Sequence, residues 1–316
     1  MMKKLAVIAF GGNALLRSGQ KGTIDEQEAN VYESCSHLVP LIEKGYDIVI
    51  GHGNGPQVGN VLLQHEAGEK NFGIPKMPLD FCVAETQGSI GYMIEQQMRN
   101  VLEEKDLQRD ILTIVTQVLV DKNDEAFKNK SKPVGPYYSK EEAEATAAAN
   151  GSQFQEDSAG RGYRKVVASP KPIRINNRKS IERLAREGSI IVTVGGGGIP
   201  VFYAEEKKLQ GIDAVIDKDL ACSLLAQQIR AEEFYILTDI PKVCINFNTP
   251  EQVELDVISI AEAKEYMAQG QFAEGSMAPK VRAALQFVEN GGRTCIITSA
   301  DQLHIPNAGT RIVLNK

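Results

Sequence analysis

Short apolar runs, rich in β-branched residues, recur along this chain between longer stretches in which apolar positions return every three or four residues. The runs at 5–10, 46–50, 112–120, 190–194, 234–238, 294–298 and 311–314 read as strands. They are apolar without alternation, so both faces of most of them are covered, as in a parallel sheet flanked by helices. Helical periodicity fills the gaps at 25–44, 55–70, 80–107, 140–149, 180–187, 220–229, 260–269 and 279–289. Strand and helix in alternation predict an α/β fold, an open and mostly parallel doubly wound sheet with helices on both faces.

One region breaks that rhythm. Residues 121–166 are polar, and so long a stretch inside a domain is usually functional. It reads as an excursion, a small protruding lid on a first domain spanning 1–205. The second domain covers 206–316, with the boundary near 198–211.

Composition narrows the function. The 316 residues carry a formal net charge of −6, and 42% are apolar. Excess negative charge repels phosphate backbones and anionic lipid, so neither nucleic acid nor membrane is expected as a partner. No stretch approaches the roughly 20 apolar residues that span a bilayer. The N-terminal run at 5–10 is too short for a signal sequence and leads into Gly11-Gly12-Asn13. The five scattered cysteines form no CxxC pair and read as reduced core thiols, which places the expected location in the cytoplasm. Four histidines without HExxH argue against a histidine zinc site, and no residue is assigned to a metal. GxSxG, GxxxxGK[ST] and an intact GxGxxG are missing too.

Four segments carry candidate chemistry. Gly11-Gly12-Asn13-Ala14 follows the first strand; alone, a diglycine there is more often a tight turn than a phosphate site. Gly51-His52-Gly53-Asn54-Gly55-Pro56 joins a strand to a helix, and such glycine density weakens a fold unless close approach requires it. Its histidine is read as a hydrogen-bonding core residue. Gly195-Gly196-Gly197-Gly198 ends another strand, where either a hinge or ligand contact is possible. Asp213 to Leu220 opens a helix with Lys218 in its first turn, where the helix dipole disfavours a cation. That lysine either faces a phosphate, held by neighbouring carboxylates, or belongs to a solvated charge cluster. Lys280 is a second first-turn lysine.

Taken in order, the segments GGNAL (11–15), HGNGPQVGN (52–60), TQGSIGY (86–92), TQVLVD (116–121), AGRGYRKVV (159–167), GGGGIPV (195–201), AVIDKDLA (214–221) and GSMAPKV (275–281) resemble the amino-acid kinase superfamily and, within it, the carbamate kinases. The resemblance implies reversible, magnesium-dependent phosphoryl transfer from ATP to carbamate, giving ADP and carbamoyl phosphate. It also implies a homodimer and use for ATP formation in arginine or related nitrogen catabolism. By position, Gly11, Gly12, Asn13, Gly53, Asn54 and Gly55 would hold carbamate and the transferring phosphoryl group. Lys218 and Lys280 would neutralise its charge, with Asp213 orienting them. Gly196, Gly197, Asp217, Thr238, Asp239 and Met277 would lie near the nucleotide. Ala9 stands where most branches of the superfamily carry a lysine; Lys132, in the excursion, matches the lysine that carbamate kinases use instead. Ser158 departs from the family pattern by one inserted residue. The rival readings are another small-acid kinase of the superfamily and a catalytically silent ligand sensor.

Overall fold

Strand β1 (Leu5–Phe10) is buried at every position and lies in the middle of the main sheet. The computed structural model describes residues 3–17, 19–157 and 160–316; Ser158 therefore lies outside the described residues. From β1 the chain passes through α1 (Ile24–Ser36) and α2 (Val39–Glu43) to β2 (Asp47–His52). Next come α3 (Gly55–Phe72), α4 (Leu79–Glu104), β3 (Ile111–Thr113) and β4 (Gln117–Leu119). The excursion supplies β5 (Lys132–Tyr138), α5 (Lys140–Asn150), β6 (Gln153–Glu156) and β7 (Tyr163–Val167). Then follow β8 (Arg174–Ile175), α6 (Arg178–Arg186), β9 (Ile190–Val192), β10 (Ile199–Tyr203), β11 (Leu209–Gly211) and α7 (Lys218–Gln228). The chain closes with β12 (Glu233–Thr238), β13 (Cys244–Ile245), β14 (Val253–Glu254), β15 (Val257–Ser259), α8 (Ile260–Ala268), α9 (Met277–Glu289), β16 (Thr294–Ser299) and β17 (Thr310–Val313).

The main sheet has eight strands in the order β15-β17-β16-β12-β1-β2-β9-β3. Its strands run parallel except where β17 meets β16. Because successive side chains on a strand point to opposite faces, Leu5, Val7 and Ala9 enter one core layer with α7 and α9. Ala6, Ile8 and Phe10 enter the other, against α1 and α4. Both faces are dry, which is why the strand is apolar throughout. The expected halves, 1–205 and 206–316, meet within this one sheet, where β1 pairs with β12 from Ala6–Glu233 to Ala9–Ile236. No helix among the described residues is long and apolar enough to cross a membrane.

The structure corrects two expected elements and shows order within the excursion. The helix expected at 25–44 is two helices, and Pro40, which lacks an N–H, sits in the first turn of the second. The strand expected at 112–120 splits: β3 ends the main sheet, while β4 joins a second sheet of order β11-β10-β4-β8. The break falls at Thr116, whose N–H donates to Gln87 of α4 and whose hydroxyl meets Thr193. The excursion has its own order, a three-stranded antiparallel sheet β5-β7-β6 with α5 capped by Ser139 and Glu142.

Candidate active site

The carboxyl ends of β1, β2, β9, β12 and β16 lie along one edge of the main sheet, where open α/β sheets take their ligands. At the end of β1, a Cβ on Gly11 would stand 2.6 Å from the Leu237 carbonyl oxygen of β12, so the two strand ends can approach only with glycine there. Gly12 and Asn13 follow in a short turn open to the cleft.

At the end of β2, His52 is fully buried. Burial pushes its imidazole down to about 4, and the nearby Lys218 charge acts in the same direction. The ring is therefore neutral at pH 7, and its Nδ1–H donates to the Gly53 carbonyl at 2.9 Å. It supports the loop, in keeping with its reading as a core residue. Gly53 lies against the aliphatic stem of Lys218. Asn54, also buried, donates from Nδ2 to the Thr86 hydroxyl of α4 at 2.9 Å.

The turn after β9 is a packing node. Val194 adopts φ +45°, a strained value for a β-branched residue, and Gly196, Gly197 and Gly198 are also left-handed. A Cβ on Gly195 would strike His52, on Gly196 Asn54, on Gly197 the Ile216 backbone, and on Gly198 Val118. Gly196 and Gly197, expected beside the nucleotide, are held in this packing. Gly196 borders a smaller cavity with Asn54, and Gly197 is buried under Ile216.

The centre of the site is the start of α7. Asp217 is its N-cap, and its Oδ1 accepts from the N–H groups of Asp219 and Leu220 at 2.9 and 3.2 Å. Its Oδ2 accepts from Lys132 Nζ at 2.7 Å. Asp219 accepts from Lys218 Nζ at 2.6 Å through Oδ1 and from Lys280 Nζ at 3.2 Å through Oδ2. Burial raises the pKa of Asp219, but Lys218 and Lys280 outweigh it and hold the carboxyl well below the usual range. For Lys218 burial acts downward, and Asp219 reverses it to a net rise. Asp217 likewise is raised by burial and lowered on balance, with Lys132 as the chief cause. Three lysines against two carboxylates leave a formal charge of one positive for an anion.

Asp213 corrects an expectation. Its Oδ1 accepts from the Leu79 N–H at 3.0 Å, in the first turn of α4, where a carboxylate is favoured by the helix dipole. The carboxylate that orients both lysines is Asp219. Sequence reasoning placed Asp219 only among the residues flanking Lys218, and it gave Thr86 and Gln87 no role beyond their place in TQGSIGY. Those two are polar residues on the buried face of α4, in register with Val83 and Ile90, and that misplacement within an apolar stripe is the signal that could have found them.

Three cavities meet at the lysines. A cleft of 640 Å³ is lined by Gly11, Gly12, Asn13, Lys132, Asp217, Lys218, Asp219, Thr238, Asp239 and Lys280. A cavity of 260 Å³ opens beside it, shares Gly12, Asn13, Lys132 and Lys218, and adds Gly53, Asn54 and Gly55. A third, of 530 Å³, shares Thr238, Asp239 and Lys280 and is bounded by Phe247, Phe272 and Met277. The small pocket thus shares Lys132 and Lys218 with the central cleft, and the aromatic-walled pocket shares Lys280 with it.

Comparison with known proteins gives the same answer from a different direction. A model of the amino acid kinase family matches residues 4–299. The carbamate kinase of Thermococcus kodakarensis is 47% identical over 300 residues, 95% of each chain. Among solved structures, carbamate kinase from Giardia lamblia bound to citric acid superposes with a TM-score of 0.92 at 43% identity, covering 98% of both chains. The same Giardia enzyme bound to AMP-PNP gives 0.89 at 42%, again over 98% of both. This chain belongs to the amino acid kinase family and, within it, to the carbamate kinases.

Proposed function

We propose that the protein transfers a phosphoryl group reversibly between ATP and carbamate, with ADP and carbamoyl phosphate as the other pair. The observation that carries this reading is the lysine–carboxylate cluster at the junction of a small cavity and a nucleotide-sized one. The small cavity, with Asn13, Gly53, Asn54 and Gly55, suits a compact planar anion. The aromatic-walled cavity, with Met277, Thr238 and Asp239, suits a purine nucleotide whose phosphates run toward Lys280 and Lys218. That the Giardia relative binds AMP-PNP supports the nucleotide assignment.

A carbamate oxygen attacks the γ-phosphorus as the bond to the β–γ bridging oxygen of ATP breaks, and ADP leaves with that electron pair. The nucleophile is already an anion, so no base is required. What the protein supplies is alignment and positive charge around the equatorial and leaving oxygens. Lys132 and Lys218 border the acceptor side and Lys280 the nucleotide side. Among the described residues no group of three or more His, Cys, Asp and Glu side chains could hold a metal ion. The four oxygens of Asp217 and Asp219 are engaged by lysines and N–H groups. Magnesium would enter on the nucleotide's phosphates, its usual ligands in phosphoryl transfer.

Two further readings accompany this one. The exposed apolar side chains of Phe72, Ile74, Met77 and Phe81, close together in the sequence, would suit contact with a second copy of the chain, which supports a homodimer. All five cysteines are free and buried, which supports a reducing compartment such as the cytoplasm.

The test is ATP formation from ADP and carbamoyl phosphate, run beside acetylglutamyl, aspartyl and glutamyl phosphates. Turnover confined to carbamoyl phosphate supports the proposal. Preference for another acyl phosphate, or no turnover with any, overturns it.

A further inference from the structure

We infer that Gly59 is a positioning residue for phosphoryl transfer: its bare backbone seats the excursion on α3 and so fixes Lys132 against Asp217. The inference rests on the role proposed above for Lys132.

Gly59 occupies the interior of α3, where glycine weakens a helix relative to alanine. Something must require it. A Cβ at this position would stand 1.9 Å from Gly135 Cα and 2.1 Å from Gly135 N. Those are main-chain atoms of β5, so no side-chain rotation relieves the clash. The approach is built from the other side as well. The β5–β7 register passes from Val134–Lys165 to Tyr138–Tyr163, a bulge that places extra residues on β5. Gly135 sits in that bulge with φ +74°, and its carbonyl accepts from Arg164 Nε at 3.0 Å.

Next to this contact, Val134 is 1% exposed and packs with Val58, Val83, Val167 and Val215. Lys165 of β7 reaches Glu66 of α3 at 3.3 Å. The base of the excursion is therefore docked on α3 through a backbone contact, an apolar plug and an ion pair. Lys132 begins the same strand, three residues before Gly135. At about 3.3 Å per residue the seat and the lysine are roughly 10 Å apart on a stiff element. Displacement at Gly59 moves the start of β5 and takes Lys132 Nζ away from Asp217. The lysine is thus held in place before any ligand arrives, and α3, whose first turn borders the acceptor cavity, is the reference surface.

The experiment is a double-mutant cycle on the full chain, using Gly59→Ala, Lys132→Ala and the pair, with Gly68→Ala as a control. Gly68 lies on the same helix, and a Cβ there meets only Ile74, at 4.0 Å. We expect Gly59→Ala to lower kcat by about 10-fold or more, as a displacement near 1 Å does. KM for ADP should stay within about twofold, because no residue of α3 lines the aromatic-walled cavity. In the Lys132→Ala background the same change should cost less than about twofold. Full kcat in Gly59→Ala, or an undiminished loss in the Lys132→Ala background, overturns the inference. Wild-type kcat in Lys132→Ala instead overturns the role of that lysine, a separate failure. Should Gly59→Ala not fold, Val134→Ala loosens the same seat; it must show a kcat loss that vanishes in the Lys132→Ala background, and an additive loss overturns the inference.

Discussion

Lys280 Nζ lies 3.2 Å from Asp219 Oδ2, although 61 residues of chain separate them. The other oxygen of the same carboxylate holds Lys218 at 2.6 Å. One buried anion thus sets the spacing between two cations from different helices, α7 and α9. Without it, two ammonium groups brought together would repel each other and lose their solvation without compensation.

Replacing either cation tests the charge itself. Lys218→Ala and Lys280→Ala should each lower kcat by roughly 10²-fold or more, the usual loss when an electrostatic donor to the transition state is removed. Steady-state kinetics in both directions measure it. A variant turning over near the wild-type rate removes its lysine from the mechanism.

Replacing the shared anion tests the spacing. Asp219→Asn leaves two partly buried lysines without their shared counter-ion and should lower stability by up to about 3 kcal/mol, since breaking such a pair from one side is costly. Urea unfolding at pH 7 measures this, and kcat should fall with it. Asp213→Ala removes the acceptor for the Leu79 N–H and should cost about 1 kcal/mol, as loss of a helix cap does. Equal stability losses in the two variants would contradict the different environments described for them.

The Asn54–Thr86 hydrogen bond crosses from the β2 end to α4. Thr86→Val keeps the side-chain shape but removes the acceptor, leaving the Asn54 amide unpaired in a buried setting. KM for carbamoyl phosphate should rise several-fold, while KM for ADP, whose proposed cavity Asn54 does not line, should not change. A parallel rise in both would place Asn54 outside the acceptor cavity.

His52 makes stability depend on pH. Its folded-state value near 4 lies below the unbound 6.5, so between these values the unfolded chain binds a proton that the folded chain does not. Stability from this group is complete above 6.5 and is lost as pH falls toward 4. Between pH 7.5 and 5 the loss should be about 2 kcal/mol. Urea midpoints across that interval check it, and His52→Asn should flatten the slope. An equal slope in the variant would assign the effect to other groups.

Much of the fold was legible because its signals are local. The unbroken apolar run at 5–10 predicted a strand covered on both sides, and the two core layers divide its residues by parity. The capped helix of the excursion was legible as helical periodicity at 140–149, yet its sheet was not, because β5, β6 and β7 are short, polar and paired across the loop. The strand expected at 112–120 failed for a similar reason. Gln87 and Thr193, distant in sequence, bind Thr116 and turn the chain from one sheet into another. The tetraglycine turn was open to a hinge or a ligand reading; His52, Asn54, Ile216 and Val118 crowd it from three other segments.

The order of apolar runs and glycine turns by itself determined a doubly covered α/β sheet, ligand-facing turns at its strand ends and a pair of first-turn lysines, because side-chain period and backbone freedom act over a few residues. Tertiary structure alone decided that Asp219, and not Asp213, holds Lys218 and Lys280, and that Lys132 arrives at Asp217 from the excursion. Ion pairing depends on distances of about 3 Å between elements far apart in the chain, and these are set by how α7, α9 and β5 pack on the sheet.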